Sequence, residues 1–265
     1  MRRNGALFWG ALLIILGGLL LLQTLGLITL NVVGLIWPIV LILLGLWILW
    51  GALGGRRAET EQLTIPLKGA SEARVRLSFG AGRLQVGVGA GMDEAVAGTF
   101  SGGVEHTSQS EGNVLTVDLR SPDITWNVPW MWGNRPEREW LVRLNGGLPL
   151  ALEVRAGASD TRLDLTDLRV TDLTVKTGAS STDLTLPANA GLTRVNIEAG
   201  AASMVIRVPS GVAARLRLTG GVASLDVDEK RFPRLGGYYQ SPDFDSAPNK
   251  IELEAKAGAG SVEVK

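Results

Sequence analysis

The chain has 265 residues and no cysteine, which excludes disulfides, cysteine-ligated zinc and thiol chemistry. Its formal net charge of zero combines two unlike parts. Residues 1–58 contain four Arg and no Asp, Glu or Lys, whereas the remainder holds all 26 acidic side chains and only 22 basic ones. An acidic soluble part without a basic run argues against a nucleic-acid partner, because that affinity comes mainly from Lys and Arg neutralising phosphates.

Two long apolar segments open the chain, at about residues 6–28 and 32–53. Each segment has roughly the 20 residues that a helix needs to cross the hydrocarbon core of a bilayer. Lipid offers the backbone no hydrogen-bond partners, so both segments are predicted to be helical. A signal peptide is the alternative, but the length of the first segment and the second span that follows favour a transmembrane hairpin over residues 1–57.

Four arginines predict the orientation of this hairpin. Arg2 and Arg3 precede the first span, Arg56 and Arg57 follow the second, and the connecting loop has no charge. The positive-inside rule then places both termini, and the domain that follows, in the cytoplasm. The alternative is an extracytoplasmic domain.

Residues 58–265 contain an internal repeat in which apolar and polar residues alternate on both sides of a glycine. Period-two alternation is typical of half-buried strands, and no segment of this part shows helical periodicity. A β-solenoid or β-helix-like stack of about six rungs of roughly 21 residues is therefore predicted, with a β-sandwich as the alternative. The central copies are spaced 21 or 22 residues apart and two degenerate outer copies surround them, and the glycines of all six are Gly80, Gly157, Gly178, Gly200, Gly221 and Gly258.

Two insertions near residues 121–140 and 229–250 interrupt the repeat. They carry every Trp and Tyr of the domain, and these side chains commonly anchor interfaces with proteins and with membranes. The insertions either pack against the stack or bind a partner or the bilayer. The candidate interface residues are Trp126, Trp130, Trp132, Trp140, Tyr238 and Tyr239.

Residues suited to catalysis or metal binding are scarce. His106 is the only histidine, it lies in a polar stretch, and the chain has no G-x-S-x-G motif. Carboxylates such as Asp160, Asp164 and Asp183 recur beside leucines, and such residues could hydrolyse glycosidic bonds or bind calcium. Their alternation with leucine favours a solvated sheet face. No catalytic, cofactor-binding or metal-binding residue is predicted, and no cofactor.

The apolar segments resemble the membrane region shared by LiaI/LiaF-type proteins of the bacterial cell-envelope stress response, and the Gly-Ala-Ser repeats resemble the toast-rack or adhesin-like β-domain often joined to it. The residues that carry the first resemblance are Gly10, Leu16-Gly17, Leu21-Leu22, Leu25-Gly26-Leu27-Ile28, Trp37-Pro38 and Leu41-Ile42-Leu43-Leu44-Gly45. This resemblance implies a non-enzymatic sensor or regulator that acts by contact with a membrane histidine kinase.

Two functions therefore remain open. The first is a membrane-anchored β-scaffold that works through protein–protein contact, with the lipid bilayer, an envelope-stress protein or a second copy of the chain as partners. The second is a membrane-bound carbohydrate-active enzyme or an adhesin that uses carboxylates on the face of the stack. A clustered, partly buried carboxylate pair in a groove would favour the enzyme.

Overall fold

The computed structural model describes residues 41–42, 44–46, 60–122 and 138–265. Residues 41–42 and 44–46 are helical. Within these described ranges, no helix has the length and apolar character needed to cross a membrane. The predicted spans at 6–28 and 32–53 lie almost entirely outside the described residues, and the hairpin stays a prediction. All of the described strands belong to one compact unit.

This unit is a mostly parallel sheet of thirteen strands in the described part of the chain. The strands are β1 (Thr60–Pro66), β2 (Glu72–Val88), β3 (Glu94–Ser101), β4 (Glu105–Glu111), β5 (Val114–Arg120), β6 (Glu139–Leu144), β7 (Leu150–Asp164), β8 (Val170–Thr185), β9 (Leu192–Arg207), β10 (Ala213–Val227), β11 (Arg234–Leu235), β12 (Tyr238–Gln240) and β13 (Lys250–Val264).

The six repeat copies form the six long strands, which lie side by side in the order β2-β7-β8-β9-β13-β10. Each pair is parallel, and equivalent residues of the repeat lie next to each other, as Leu152, Leu173 and Val195 do. Parallel pairing in register agrees with the predicted stack, whereas a sandwich of hairpins would pair neighbouring copies antiparallel. Burial of the alternating apolar side chains between copies supplies the common core.

The order of the copies in the sheet differs from their order along the chain. The copy around Gly258 is the last in the sequence, yet it lies inside the stack, because β13 pairs with β9 on one side and with β10 on the other. β13 has alternating apolar residues along its whole length, and Ile251, Leu253 and Val262 are at most 3% exposed. This inner position gives β13 a parallel partner along both of its edges, and the insertion between β10 and β13 is long enough to allow the arrangement.

Each long strand bends at its glycine, which divides it into a first arm before the glycine and a second arm after it. In β9 the buried side chains include Val195 and Ile197 before the bend, and Met204 and Ile206 after it. The buried positions therefore switch from odd-numbered to even-numbered residues at Gly200 and Ala201, which are both exposed. This extra residue at the bend lets both arms turn their apolar side chains toward one core.

The two ends of the stack differ. At one end, the first arm of β2 pairs with β5 and its second arm pairs with β6, which continues to β3 and β1. At the other end, the first arm of β10 pairs with β12 at Arg215 and Leu216. Among the described residues, no strand pairs with the outer edge of the second arm of β10.

Candidate interaction surfaces

The aligned glycines form a continuous strip of exposed backbone, which we call the glycine corner. A Cβ atom added to Gly157 would lie 2.3 Å from the carbonyl oxygen of Gly80, and one on Gly178 would lie 3.1 Å from that of Gly157. The same contact recurs along the stack. The distance from an added Cβ atom to the glycine carbonyl oxygen of the preceding strand is 3.0 Å for Gly200, 2.9 Å for Gly258 and 2.8 Å for Gly221. Neighbouring strands thus approach at the corner to a distance that a side chain would prevent, which explains why each copy carries glycine there.

A groove of about 1200 Å³ runs along this corner across the six long strands. Its floor is the glycine backbone, and its charged lining residues are Arg120, Arg155, Lys176, Lys256 and Glu198. Four of these five side chains are cationic, and the groove is open along its length. This corner groove is suited to contact with an extended partner, since backbone groups and long charged side chains are both accessible.

Among the described residues that line the corner groove, Glu198 is the only carboxylate. Its Oε2 lies 2.9 Å from the Nζ of Lys176. The hydrogen bond from Lys176, the charge of Lys176 and then that of Lys256 lower the pKa of Glu198. The Lys176–Glu198 pair stabilises the fold at pH values above the ordinary pKa of a glutamate carboxyl. This contribution is lost as the pH falls through the lowered pKa of Glu198. The lowered pKa favours the ionised form of this carboxylate.

The remaining strand carboxylates lie on the solvated face of the sheet, as the alternation with leucine predicts. Arg194 pairs with Asp172 across neighbouring strands at 3.9 Å, and Arg76 pairs with Glu153 at 3.6 Å. Asp183 pairs with Arg207 in the same way. Within the described ranges, no three His, Asp or Glu side chains are grouped closely enough to hold a metal ion. Exposed pairs of this kind contribute little to stability, and their regular spacing mainly keeps the face soluble.

Trp140 is a core residue and not part of an exposed interface. It lies in β6 with 0% of its surface exposed, and its ring packs 5.2 Å from that of Phe79 and 5.0 Å from that of Phe100. The sequence analysis grouped it with the proline-rich insertion. The alternation of exposed and buried residues from Glu139 to Leu144 is the signal that assigns it to a strand. Trp126, Trp130 and Trp132 lie outside the described residues, as do Arg2, Arg3, Arg56 and Arg57.

The two candidate tyrosines lie in β12 and differ in environment. Tyr239 packs against the core, and the guanidinium of Arg234 lies 5.9 Å from its ring centroid. Tyr238 lines a second groove of about 470 Å³, where Arg215 lies 5.8 Å from its ring centroid. Tyr238 is therefore accessible to a partner, whereas Tyr239 mainly fixes β12 against β10.

Sequence reasoning missed one surface, the bend and the second arm of β10 at residues 220–227, which we call the open arm. Val222 is 84% exposed and Leu225 is 39% exposed. The Leu225-Asp226-Val227 pattern looks like that of every other copy, so nothing local marks this strand as the last in the stack.

Comparisons with known proteins place the chain among membrane-anchored β-domains. Residues 54–207 match the family model described as the N-terminal domain of toast_rack, DUF2154, and residues 7–49 match the LiaI-LiaF-like transmembrane region. Both resemblances inferred from the residues are thereby confirmed. The comparison with curated proteins gives no match.

Two solved structures are similar to the chain. One is described as a "putative cell adhesion protein" from Clostridium sporogenes ATCC 15579, with 22% identity, a TM-score of 0.69, and coverage of 78% of this chain and 99% of that one. The other is described as a "putative adhesin" from Bacteroides fragilis NCTC 9343, with 12% identity, a TM-score of 0.31, and coverage of 78% and 97%. The first shares the fold of the β-domain.

Proposed function

Because the chain belongs to the toast-rack family and joins that domain to a LiaI-LiaF-like transmembrane region, we propose that it is a membrane-anchored scaffold that acts by binding other proteins and has no catalytic activity. The finer role is the sensing or regulation of bacterial cell-envelope stress. A membrane histidine kinase or another envelope-stress protein is the proposed partner, since the transmembrane match is to a region typical of that response.

The arrangement of charge on the β-domain carries this proposal. An enzyme that uses two carboxylates needs them close together, with one of them protonated. In the described residues the carboxylates are spread along the solvated face, where Asp172 and Asp183 pair with arginines of the next strand. Glu198 in the corner groove is held ionised by Lys176. This pattern supports a binding surface over a catalytic one.

The orientation in the membrane is a separate proposal, with its own test. The Arg pairs at both ends of the hairpin favour cytoplasmic termini and a cytoplasmic β-domain. A fluorescent protein fused after Lys265 should fluoresce, and alkaline phosphatase fused at the same point should be inactive. Active phosphatase without fluorescence would place the β-domain outside the cytoplasm.

Capture of the partner tests the function itself. Trp130 and Trp132 belong to a proline-rich segment, and we propose that they contact the partner or the bilayer because large apolar rings are costly to leave in water. Crosslinking in native membranes followed by mass spectrometry should recover one recurrent envelope-stress protein with the unchanged chain. The Trp130→Ala/Trp132→Ala variant should lose at least nine-tenths of that product, or of liposome binding, while its melting temperature changes little.

The matched control for this experiment is Arg162→Ala, an exposed position on β7. It should leave both crosslinking and stability unchanged. A marked fall in the melting temperature of the double Trp variant, with the crosslinked product intact, would show that these rings pack the domain and contact no partner.

A further inference from the structure

The open arm differs from the arms of every other long strand. β2, β7, β8, β9 and β13 are paired with a neighbour on both edges of both arms, whereas residues 220–227 of β10 pair only with β13 in the described chain. An unpaired strand edge presents backbone N–H and C=O groups that can continue the sheet with another chain.

The side chains of the open arm are apolar where a terminal strand is normally polar. Leu225 lies beside Val262, which is 2% exposed, and Val262 lies beside Met204, which is 1% exposed. Leu225 itself is 39% exposed, so the last layer of the core is left partly uncovered. Solenoid ends usually carry a polar cap for solubility. The open arm has no Lys, Arg or Pro, and Asp226 is its only charge.

The opposite end of the described stack has two edge strands, β4 and β1. β4 is exposed along nearly its whole length and carries Glu105 and Glu111, and β1 carries Glu61 and ends at Pro66. Charges and proline on an edge discourage pairing with a further strand. Contact between two open arms uses the same edge of both copies, so it closes at two copies instead of growing into a fibre.

We propose that the open arms of two copies pair antiparallel about a two-fold axis, so that one sheet continues through both β-domains. In a pairing centred on Ala223, Leu225 faces Gly221 of the second copy and Asp226 faces Gly220. Large side chains then lie opposite glycines, and no two like charges are opposed. The open arm is self-complementary in this register.

The membrane region explains how so short an edge can hold two copies together. Eight residues of strand pairing bury less than the roughly 1,200 Å² of a standard stable interface. Anchoring through the LiaI-LiaF-like region at residues 7–49 confines the copies to one surface and raises their effective concentration. The inference rests on the membrane anchorage of the proposed function, and it does not depend on the identity of the partner.

The absence of cysteine permits a direct test in the full chain. Ala223→Cys places one thiol at the two-fold axis, where opposed side chains are close enough for a disulfide. Mild copper-phenanthroline oxidation of native membranes should convert most of this variant to a disulfide-linked dimer. Arg162→Cys, exposed on β7, is the matched control for random collisions and should give no more than a tenth as much dimer.

A second substitution tests whether the edge itself makes the contact. Val222→Lys in the Ala223→Cys background adds a charge at an 84% exposed position, so it should leave the fold intact and reduce dimer formation about tenfold. Dimer yield equal to that of Arg162→Cys, a product with another protein, or no effect of Val222→Lys would overturn the proposal. Loss of the dimer with continued partner capture would refute this inference alone and leave the proposed function standing.

Discussion

Replacement of Trp140 with Ala should lower the stability of the β-domain by about 4 kcal/mol, the usual cost of removing a fully buried aromatic side chain. Trp140 is 0% exposed and packs against Phe79 and Phe100, so the cavity would open where β6 covers the second arm of β2. For a domain of this size the melting temperature should fall by about 12 °C, measured by scanning calorimetry of the chain in detergent.

Trp140→Phe is the matched control for that experiment. The indole Nε1 is buried and has no hydrogen-bond partner among the described residues, so its removal costs no hydrogen bond seen there. The phenyl ring keeps most of the apolar contact, and the loss should be about 1 kcal/mol. Equal losses in the two variants, or a negligible loss in Trp140→Ala, would contradict the placement of this residue in the core.

Replacement of Gly157 with Ala should destabilise the stack by about 3 kcal/mol, because an added Cβ would meet the backbone of the neighbouring strand. The new atom would lie 2.3 Å from the carbonyl oxygen of Gly80. Backbone cannot rotate away as a flexible side chain can, so β2 and β7 must separate at the corner and lose pairing. Thermal unfolding followed by circular dichroism at the β-sheet wavelength measures the loss.

Two further alanine variants test whether the loss of stability depends on how close the added Cβ atom comes to its neighbour. The Cβ of Gly178→Ala would lie 3.1 Å from the carbonyl oxygen of Gly157, so a smaller loss is expected. Gly237 lies in open space with no atom within 4 Å of an added Cβ, and Gly237→Ala should be nearly neutral. Stability that fails to follow the order Gly237, Gly178, Gly157 would refute steric packing as the reason for glycine at the corner.

The candidate surfaces were predicted only in part. The solvated face of carboxylates follows from the alternation of Asp with Leu, and its position in the structure agrees. The interface residues were chosen by composition, and composition does not distinguish a ring in a loop from a ring in a strand. Trp140 belongs to a regular strand and is buried, while Tyr238 and Tyr239 differ because only one of two adjacent strand side chains faces the core.

The features that depend on neighbours along the chain follow from local sequence patterns. The period of two in each copy specifies a strand, the glycine at a constant position specifies the bend, and the apolar segments before residue 58 carry the match to a transmembrane region. These patterns depend on residues within one copy or one span, so they can be read without knowledge of the fold.

The choice of neighbouring strands, in contrast, depends on packing across the whole domain. The copies share one alternating pattern, so any of them could pair in register with any other, and local sequence cannot rank the arrangements. Burial over the whole stack places β13 between β9 and β10. The same arrangement leaves the second arm of β10 as the last strand of the described stack, with Val222 and Leu225 exposed, because no described strand pairs with its outer edge.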